Sequence, residues 1–217
     1  MTLAARGTPF PVILSSPSGG GKTSIARRLL AERDDVGYSV SCTTRAPRAG
    51  EVDGRDYYFL SPAEFEAAVG RGEFAEWAMV HGHRYGTLKR EVERVLTAGR
   101  HVLMDIDVQG AGQFAASFSG AVRVFVLPPS GGVLLERLAA RASESPAQLA
   151  LRVRNARDEI YAAHDYDYVV VNDALERAVA QVGSILDAEG TRRDRLRELD
   201  GQIDALVAEL DAAAAPA

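Results

Sequence analysis

The feature that most constrains the fold is a glycine-rich loop between an apolar run and a helical pattern. Residues 11–14 are apolar, and residues 24–33 carry Ile25, Leu29 and Leu30 at helical spacing. The loop between them consists of Ser16, Pro17, Ser18, Gly19, Gly20, Gly21, Lys22 and Thr23. This order predicts a strand, a tight loop and a helix, which is the context that a phosphate-binding loop requires.

The residue types of the loop suit the phosphates of ATP. Glycines let backbone N–H groups turn towards phosphate oxygens, and the N-terminus of the following helix adds partial positive charge. Lys22 would reach the terminal phosphates, and Thr23 offers a hydroxyl to Mg²⁺. Ser16 stands where the usual pattern opens with glycine. The alternative is a glycine-rich connector with a chance Lys-Thr pair.

Three further apolar runs indicate the rest of a sheet. Residues 101–106, 122–127 and 168–171 are apolar nearly throughout, as expected for parallel strands that are covered on both faces. Stretches with a helical pattern lie between and beside them, at residues 88–98, 132–140, 147–161 and 175–188. The alternation predicts an α/β fold in three layers, with a central parallel sheet flanked by helices.

Two carboxylates lie at the end of the first of these three runs, residues 101–106. Asp105 ends the run and Asp107 comes two residues later, which is the spacing of side chains on the same side of a strand. A carboxylate at the carboxyl end of a strand beside the loop suits the acid that holds Mg²⁺ through a water. We therefore expect Asp105 to serve the metal and Asp107 to serve another ligand.

Composition and length narrow the classes of protein to which the chain can belong. The chain has 217 residues, of which 47% are hydrophobic, so it is long enough for one domain with a sizeable core. A net charge of -5 gives no bulk attraction for nucleic acid. Cys42 is the only cysteine, and no stretch approaches the length of a membrane span. These features favour a single cytoplasmic domain with no nucleic-acid or membrane partner.

The segment 39–58 interrupts the alternation, and it carries the most specific motif of the chain. It contains Thr43-Thr44-Arg45-Ala46-Pro47-Arg48-Ala49-Gly50-Glu51, then Asp56-Tyr57, and Tyr85-Gly86-Thr87 follows later. With these motifs the chain resembles the guanylate kinase family from about residue 9 to residue 189. The resemblance implies that Arg45, Arg48, Tyr57 and Tyr85 hold the phosphate of GMP, a role that suits the bidentate guanidinium.

The resemblance also implies which residues read the guanine base. These are Ser41, Glu76, Thr87 and Asp107, with Gly86 and Asp105 also in the substrate site. Guanine presents an N1–H and an exocyclic amine on one edge, and a carboxylate accepts from both, whereas adenine has an acceptor at N1. Such a mismatch at a buried polar site can give about 10⁴-fold discrimination.

For the remaining parts, the family implies a helical lid and an assignment of regions. Arg137, Arg141 and Arg152 correspond to the lid arginines over the transferred phosphoryl group, and Asn172 would lie near the adenine. The implied regions are a core at about 9–40, 100–135 and 166–190, a GMP-binding region at 41–99 and a lid at 136–165. A C-terminal helix at about 191–213 is predicted from its own apolar pattern.

The implied reaction moves the γ-phosphoryl group of ATP to GMP, and to dGMP, in purine nucleotide metabolism. The acceptor oxygen is already anionic at neutral pH, so the reaction needs no general base. We expect catalysis from positioning and from charge stabilisation by Lys22, Arg45, Arg137, Arg141 and Arg152. Two alternatives remain, a non-catalytic guanylate-kinase-like binding module and a kinase for ribose 1,5-bisphosphate.

The segment after residue 190 is highly charged and carries an apolar stripe. Leu196, Leu199, Ile203, Leu206 and Leu210 recur three and four residues apart over about two heptads. The pattern predicts a helix that packs on its own domain. The alternative is a coiled-coil contact that forms a homo-oligomer.

Overall fold

The computed structural model describes residues 7–80, 82–140 and 146–214. Within these residues the strands are β1 (Pro11–Ser15), β2 (Val36–Tyr38), β3 (Cys42–Thr43), β4 (Tyr58–Phe59), β5 (Phe74–Val80), β6 (His83–Leu88), β7 (His101–Asp105), β8 (Val122–Leu127) and β9 (Tyr168–Val171). The α-helices are α1 (Lys22–Glu32), α2 (Pro62–Gly70), α3 (Lys89–Thr97), α4 (Val108–Ser117), α5 (Gly131–Ala139), α6 (Pro146–Tyr161), α7 (Leu175–Gly190) and α8 (Leu199–Ala214).

The central sheet is parallel and has the strand order β2-β7-β1-β8-β9. Successive residues of β1 face opposite sides, because side chains alternate along a strand. Val12 and Leu14 pack with α1 and α7, whereas Ile13 packs with α3 and α4. Both faces of the sheet are therefore covered, which confirms the predicted three-layer α/β fold and explains why its strands are apolar throughout.

The register of the central sheet brings together the two motifs that the sequence predicts for ATP and its metal. β1 runs directly into the glycine-rich loop, and α1 begins at Lys22 immediately after it. β7 lies beside β1, with Leu14 opposite Asp105. Because parallel strands end at the same edge, Asp105 lies next to the loop at the carboxyl edge of the sheet.

A second, smaller sheet lies between β2 and β7 in the chain and has the strand order β4-β3-β6-β5. β3 pairs parallel to β4, and the other two pairings are antiparallel. α2 starts with a capping box between Ser61 and Glu64, and its Phe65 packs on Cys42 and Phe74. The sequence analysis did not predict α2, β5 or β6, nor the edge strand β2 and helix α4 of the larger sheet.

One prediction near β7 is wrong. Asp107 does not continue the strand on the side of Asp105, because β7 ends at Asp105 and Asp107 is the N-cap of α4. Its Oδ1 accepts a hydrogen bond of 2.8 Å from the backbone N–H of Gly110. The physical reason is that an aspartate at this position satisfies an otherwise unpaired N–H group of the first helical turn.

α5 and α6 form a helical pair beside the loop. Leu134 and Leu138 of α5 pack against Ala156 and its neighbours on α6. This small apolar cluster is separate from the cores on either side of the central sheet. The arginines predicted for the lid lie on these two helices, except Arg141, which lies outside the described residues.

The C-terminal segment differs from its prediction in both extent and packing. A short 3₁₀ turn, Arg193–Arg195, precedes the helix, and α8 begins only at Leu199, after Glu198 adopts a φ of 63°. None of the described residues of α8 is buried, and Leu206 and Leu210 are 41% and 69% exposed. The prediction that this helix packs on its own domain is wrong, because none of its described apolar residues is buried or belongs to a core cluster.

Within the described ranges, none of the helices combines the length and the apolar character that a bilayer-spanning segment needs.

Candidate active site

The glycine-rich loop packs tightly against the end of β9. Gly21 has a φ of 97°, and a Cβ at this position would lie 2.3 Å from Nδ2 of Asn172. The same Nδ2 donates a hydrogen bond of 2.9 Å to the carbonyl oxygen of Gly20. Position 21 therefore requires glycine for both its left-handed backbone and its close neighbour. Asn172, predicted near the adenine, supports the loop itself.

A cavity of about 380 Å³ opens over the loop. One side is formed by Ser16, Gly19, Gly21, Lys22 and Thr23, and the other by Arg137 and Asn172. Ser16 is buried, and its hydroxyl donates to the carbonyl oxygen of Pro17, which also accepts from the N–H of Gly20. These two internal hydrogen bonds fix the turn of the loop, and Lys22, at the start of α1, faces the cavity.

Asp105 and Thr23 form the predicted oxygen pair for a metal. Thr23 Oγ1 donates to Asp105 Oδ2 at 2.7 Å. Asp105 Oδ1 accepts a second hydrogen bond, of 2.6 Å, from the hydroxyl of Tyr38. Burial, and then the charge of Asp105, raise the pKa of Tyr38, which keeps its hydroxyl protonated. A hydroxyl and a carboxylate beside a phosphate loop are the oxygen donors that Mg²⁺ prefers, so this donor set fits the ion.

A second cavity, of about 160 Å³, contains the predicted base-reading carboxylates. Glu76 and Asp107 line it together with Ser41 and Gly86. Glu76 is only 5% exposed, and a Cβ on Gly110 would lie 2.6 Å from its Oε2. The carboxylate therefore fits against the first turn of α4 only because position 110 is glycine.

The environment of Glu76 disfavours its charged form. Burial, with a contribution from Asp107, raises the pKa of the Glu76 carboxyl to about 7, although the neighbouring Thr87 partly offsets the effect. Thr87 does not line the cavity. It is fully buried and lies opposite Glu76 on β6. A polar cavity with a carboxylate poised near neutral pH is typical of a ligand site.

A larger cleft of about 1070 Å³ contains the predicted phosphate-binding residues. Arg45, Arg48, Tyr57 and Tyr85 all line it. Nε of Arg45 donates to the hydroxyl of Tyr85 at 3.3 Å, and its guanidinium lies 5.5 Å from the centre of the Tyr57 ring. The aromatic residues thus hold the guanidinium in the wall of the cleft.

Sequence reasoning assigned no role to Glu51, although it belongs to the motif. Its carboxylate pairs with Arg45 through two hydrogen bonds, of 2.8 Å and 3.0 Å, and also accepts from the N–H of Arg48. The pKa of Glu51 is lowered, chiefly by the hydrogen bond from Arg45. Glu51 therefore ties together the two predicted phosphate-binding arginines. Arg27 of α1 also lines the cleft, and only its spacing one turn after Thr23 could have indicated it.

The arginines of α5 and α6 approach the loop from the side. Arg137 donates to the carbonyl oxygens of Asn172, at 3.2 Å, and Gly20, at 3.5 Å. Arg152 is only 8% exposed and donates to Ser18 Oγ at 3.0 Å. Glu159, which was not predicted, accepts from the N–H of Ser18 at 3.0 Å. The helical pair therefore contacts the phosphate loop directly.

The three cavities adjoin one another at the carboxyl edge of the sheet. We call the cavity around Glu76 the base pocket and the cleft around Arg45 the phosphate cleft, after the roles predicted for them. Both are lined by Tyr38, Tyr57, Tyr85 and Asp105. Thr23 lines both the phosphate cleft and the cavity over the loop. A nucleotide with its base in the small pocket could thus direct its phosphate towards the loop, where a second phosphate chain would lie. Such an arrangement suits phosphoryl transfer between two nucleotides.

Comparison with known proteins agrees with this geometry. The family model of guanylate kinase matches residues 8–189. The chain is 48% identical over 195 residues to the guanylate kinase of Maricaulis maris, covering 89% of each chain. It is 45% identical over 208 residues to that of Rhizobium meliloti, covering 95% of this chain and 94% of the relative. The crystal structure of guanylate kinase from Anaplasma phagocytophilum superposes with a TM-score of 0.75 at 34% identity, covering 94% of this chain and 96% of that one. The chain therefore belongs to the guanylate kinase family.

Proposed function

We propose that this protein is an ATP:GMP phosphotransferase that converts ATP and GMP into ADP and GDP. Family membership supports the activity. The observation that carries the proposal is the buried carboxylate of Glu76, in a pocket that continues into an arginine-lined cleft and on to the phosphate loop at Thr23. A ribose 1,5-bisphosphate acceptor has no base, so the pocket around Glu76 would have no role in recognising it.

The base pocket is assigned to the guanine of GMP, or of dGMP. Glu76 accepts from guanine N1–H and the exocyclic amine, and Asp107 adds a second acceptor in the same cavity. Ser41 and Gly86 form its wall, and Thr87 lies opposite Glu76 on the neighbouring strand β6. A purine that presents an acceptor at N1 would leave the carboxylate of Glu76 unpaired, which is costly at a buried site.

The arginine-lined cleft is assigned to the phosphate of GMP. Arg45 and Arg48 supply the charge, and the hydroxyls of Tyr57 and Tyr85 supply further donors. Because Glu51 already accepts from Arg45 and from the N–H of Arg48, it keeps both residues in place before the phosphate arrives. Such preorganisation lowers the entropic cost of binding.

The glycine-rich loop is assigned to ATP. Its residues 16–23 surround the phosphates, Lys22 reaches the terminal ones, and Asn172 lies at the adenine side. Thr23 and Asp105 would hold Mg²⁺. When bound, the ion would neutralise part of the negative charge of the phosphates. Lys22, Arg45 and the lid arginines Arg137, Arg141 and Arg152 stabilise the charge that develops during transfer.

The region boundaries belong to the same proposal. One domain comprises the core at about 9–40, 100–135 and 166–190, the GMP-binding region at 41–99 and the lid at 136–165. Closure of the last two would exclude water, which otherwise competes as acceptor. We place the enzyme in the cytoplasm, in purine nucleotide metabolism. The exposed apolar face of α8, including Leu206 and Leu210, supports self-association.

The decisive experiment measures ADP formation from ATP and Mg²⁺ with GMP, AMP, UMP, CMP or ribose 1,5-bisphosphate offered separately. We expect turnover with GMP and its loss in Lys22→Ala, because the loop then lacks its cation. Turnover with ribose 1,5-bisphosphate alone would identify the other kinase. Silence with every acceptor would favour a non-catalytic binding module.

A further inference from the structure

Tyr38 is not among the predicted site residues, yet it lines two of the three cavities. It is the last residue of the edge strand β2, which pairs with β7 so that Tyr38 lies opposite Leu103. Because β7 ends two residues later, the phenol of Tyr38 is brought beside Asp105. It lines the base pocket and the phosphate cleft.

The carboxylate of Asp105 is held from two sides. Its Oδ1 accepts from the hydroxyl of Tyr38 at 2.6 Å, and its Oδ2 accepts from the hydroxyl of Thr23 at 2.7 Å. The two donors come from different elements, β2 and α1, so each fixes the carboxylate relative to a different part of the sheet edge. With both oxygens held, the carboxyl group cannot rotate without losing a hydrogen bond.

We infer that Tyr38 is a positioning residue that orients Asp105 towards Thr23 and the Mg²⁺ of bound nucleotide. The inference rests on the proposed function, in which Thr23 and Asp105 serve the metal. Tyr38 acts through Asp105, as residues that hydrogen-bond to metal-binding carboxylates commonly do. Without its hydroxyl, Oδ1 lacks this donor and the carboxylate can turn away from Thr23.

Tyr38→Phe tests this role because it removes one oxygen and leaves the ring in place. The chain offers a matched control in Tyr168, whose hydroxyl donates to Glu189 Oε1 at the same distance of 2.6 Å. Tyr168 begins β9 and therefore lies at the amino edge of the sheet, away from the loop. Both substitutions break a phenol–carboxylate hydrogen bond, but only one of these bonds involves Asp105.

The primary measurement is Mn²⁺ binding in the presence of ADP and without GMP, followed by the loss of the free-ion EPR signal. We expect Mn²⁺ binding to weaken about 10-fold in Tyr38→Phe, the lower end of the range for such supporting residues, and to be unchanged in Tyr168→Phe. The Mg²⁺ concentration that gives half-maximal ADP formation should rise in the same variant. Thermal unfolding verifies that both variants are folded.

A double-mutant cycle with Asp105→Asn distinguishes positioning from an independent effect. If Tyr38 acts through Asp105, adding Tyr38→Phe to Asp105→Asn weakens Mn²⁺ binding no further. Wild-type Mn²⁺ binding by Tyr38→Phe, or effects of the two substitutions that simply add, would overturn the inference. Failure of the wild type to turn over GMP would instead overturn the proposed function, because Mn²⁺ binding is measured without GMP.

Discussion

Replacing Glu76 by glutamine isolates the contribution of one buried carboxylate to acceptor recognition. The side chain keeps its size, but an acceptor oxygen becomes an NH₂ donor. Guanine presents two donors to this group, so Glu76→Gln loses one hydrogen bond and brings two donors together. Water cannot separate these two donors, because position 76 is only 5% exposed.

The size of the effect follows from the charge and burial of the group. A hydrogen bond to a charged group contributes about 1.5–3 kcal/mol, and about 1.4 kcal/mol corresponds to a tenfold change. We therefore expect kcat/KM for GMP to fall about 10- to 100-fold at pH 8. ATP affinity should be unchanged, because Glu76 does not line the cavity over the loop.

The raised pKa of Glu76 predicts that Glu76→Gln, which impairs GMP turnover, stabilises the ligand-free protein. The folded protein holds a proton on Glu76 up to a pKa of about 7, whereas the unfolded chain releases it near 4.5. The folded state therefore binds more protons between these values, and its stability falls as pH rises from 4.5 to 7. At about 1.36 kcal/mol per pH unit, glutamine should make the ligand-free protein more stable by up to about 3 kcal/mol at pH 8.

Both effects are measurable with one control. Glu73→Gln serves as that control, since the Glu73 side chain is 39% exposed, pairs with Arg71 and lies three residues earlier. Steady-state kinetics with GMP, ATP binding by calorimetry and urea unfolding at pH 5 and pH 8 would be compared among the three proteins. GMP binding by the wild type should also weaken below pH 7 and lose this dependence in Glu76→Gln. Wild-type kcat/KM for GMP in the variant would refute the assignment of the base pocket.

Three other predictions address separate parts of the molecule. Arg45→Lys loses the paired hydrogen bonds to Glu51 and to phosphate, so the KM for GMP should rise about tenfold while the KM for ATP stays constant. An unchanged KM for GMP would show that Arg45 does not bind the phosphate. Burial raises the pKa of Cys42 to about 12, so its thiol should react with an aromatic disulfide reagent only on unfolding, whereas rapid labelling of the native protein would contradict its buried position. Leu206→Asp should reduce the oligomer size seen in sedimentation velocity without lowering turnover per chain, and a wild-type chain that is already monomeric would contradict self-association through α8.

Sequence patterns located the part of the site that is contiguous in the chain. The phosphate loop consists of neighbouring residues, and its backbone geometry follows from glycines such as Gly21, whose φ of 97° requires that residue type. The apolar runs likewise predicted four of the five central strands, all but the edge strand β2, within one residue at either end, because strands covered on both faces must be apolar throughout. The family motif around Arg45 also predicted Arg45, Arg48 and Tyr57, which line the same cleft, from one stretch of the chain.

Contacts between distant segments could not be predicted in the same way. Tyr38 and Asp105 are 67 residues apart, and Ser18 and Glu159 are 141 residues apart. Single tyrosine and glutamate residues carry no local pattern that distinguishes these positions from ordinary surface ones. Only the strand order, which places β7 between β2 and β1, brings Tyr38 beside Asp105 and the phosphate loop.

The C-terminal helix illustrates the same division. The spacing of Ile203, Leu206 and Leu210 correctly indicated a helix with an apolar stripe, because helical periodicity is a local property. Whether that stripe meets the core depends on where the preceding chain leaves the domain. Here Glu198 adopts a left-handed conformation just before α8, and none of the described residues of α8 is buried. The sequence alone thus determined the strongly patterned strands and helices, the glycine-rich loop and the family of the chain. The tertiary structure decided which distant side chains share a cavity, because packing and strand order depend on the whole chain.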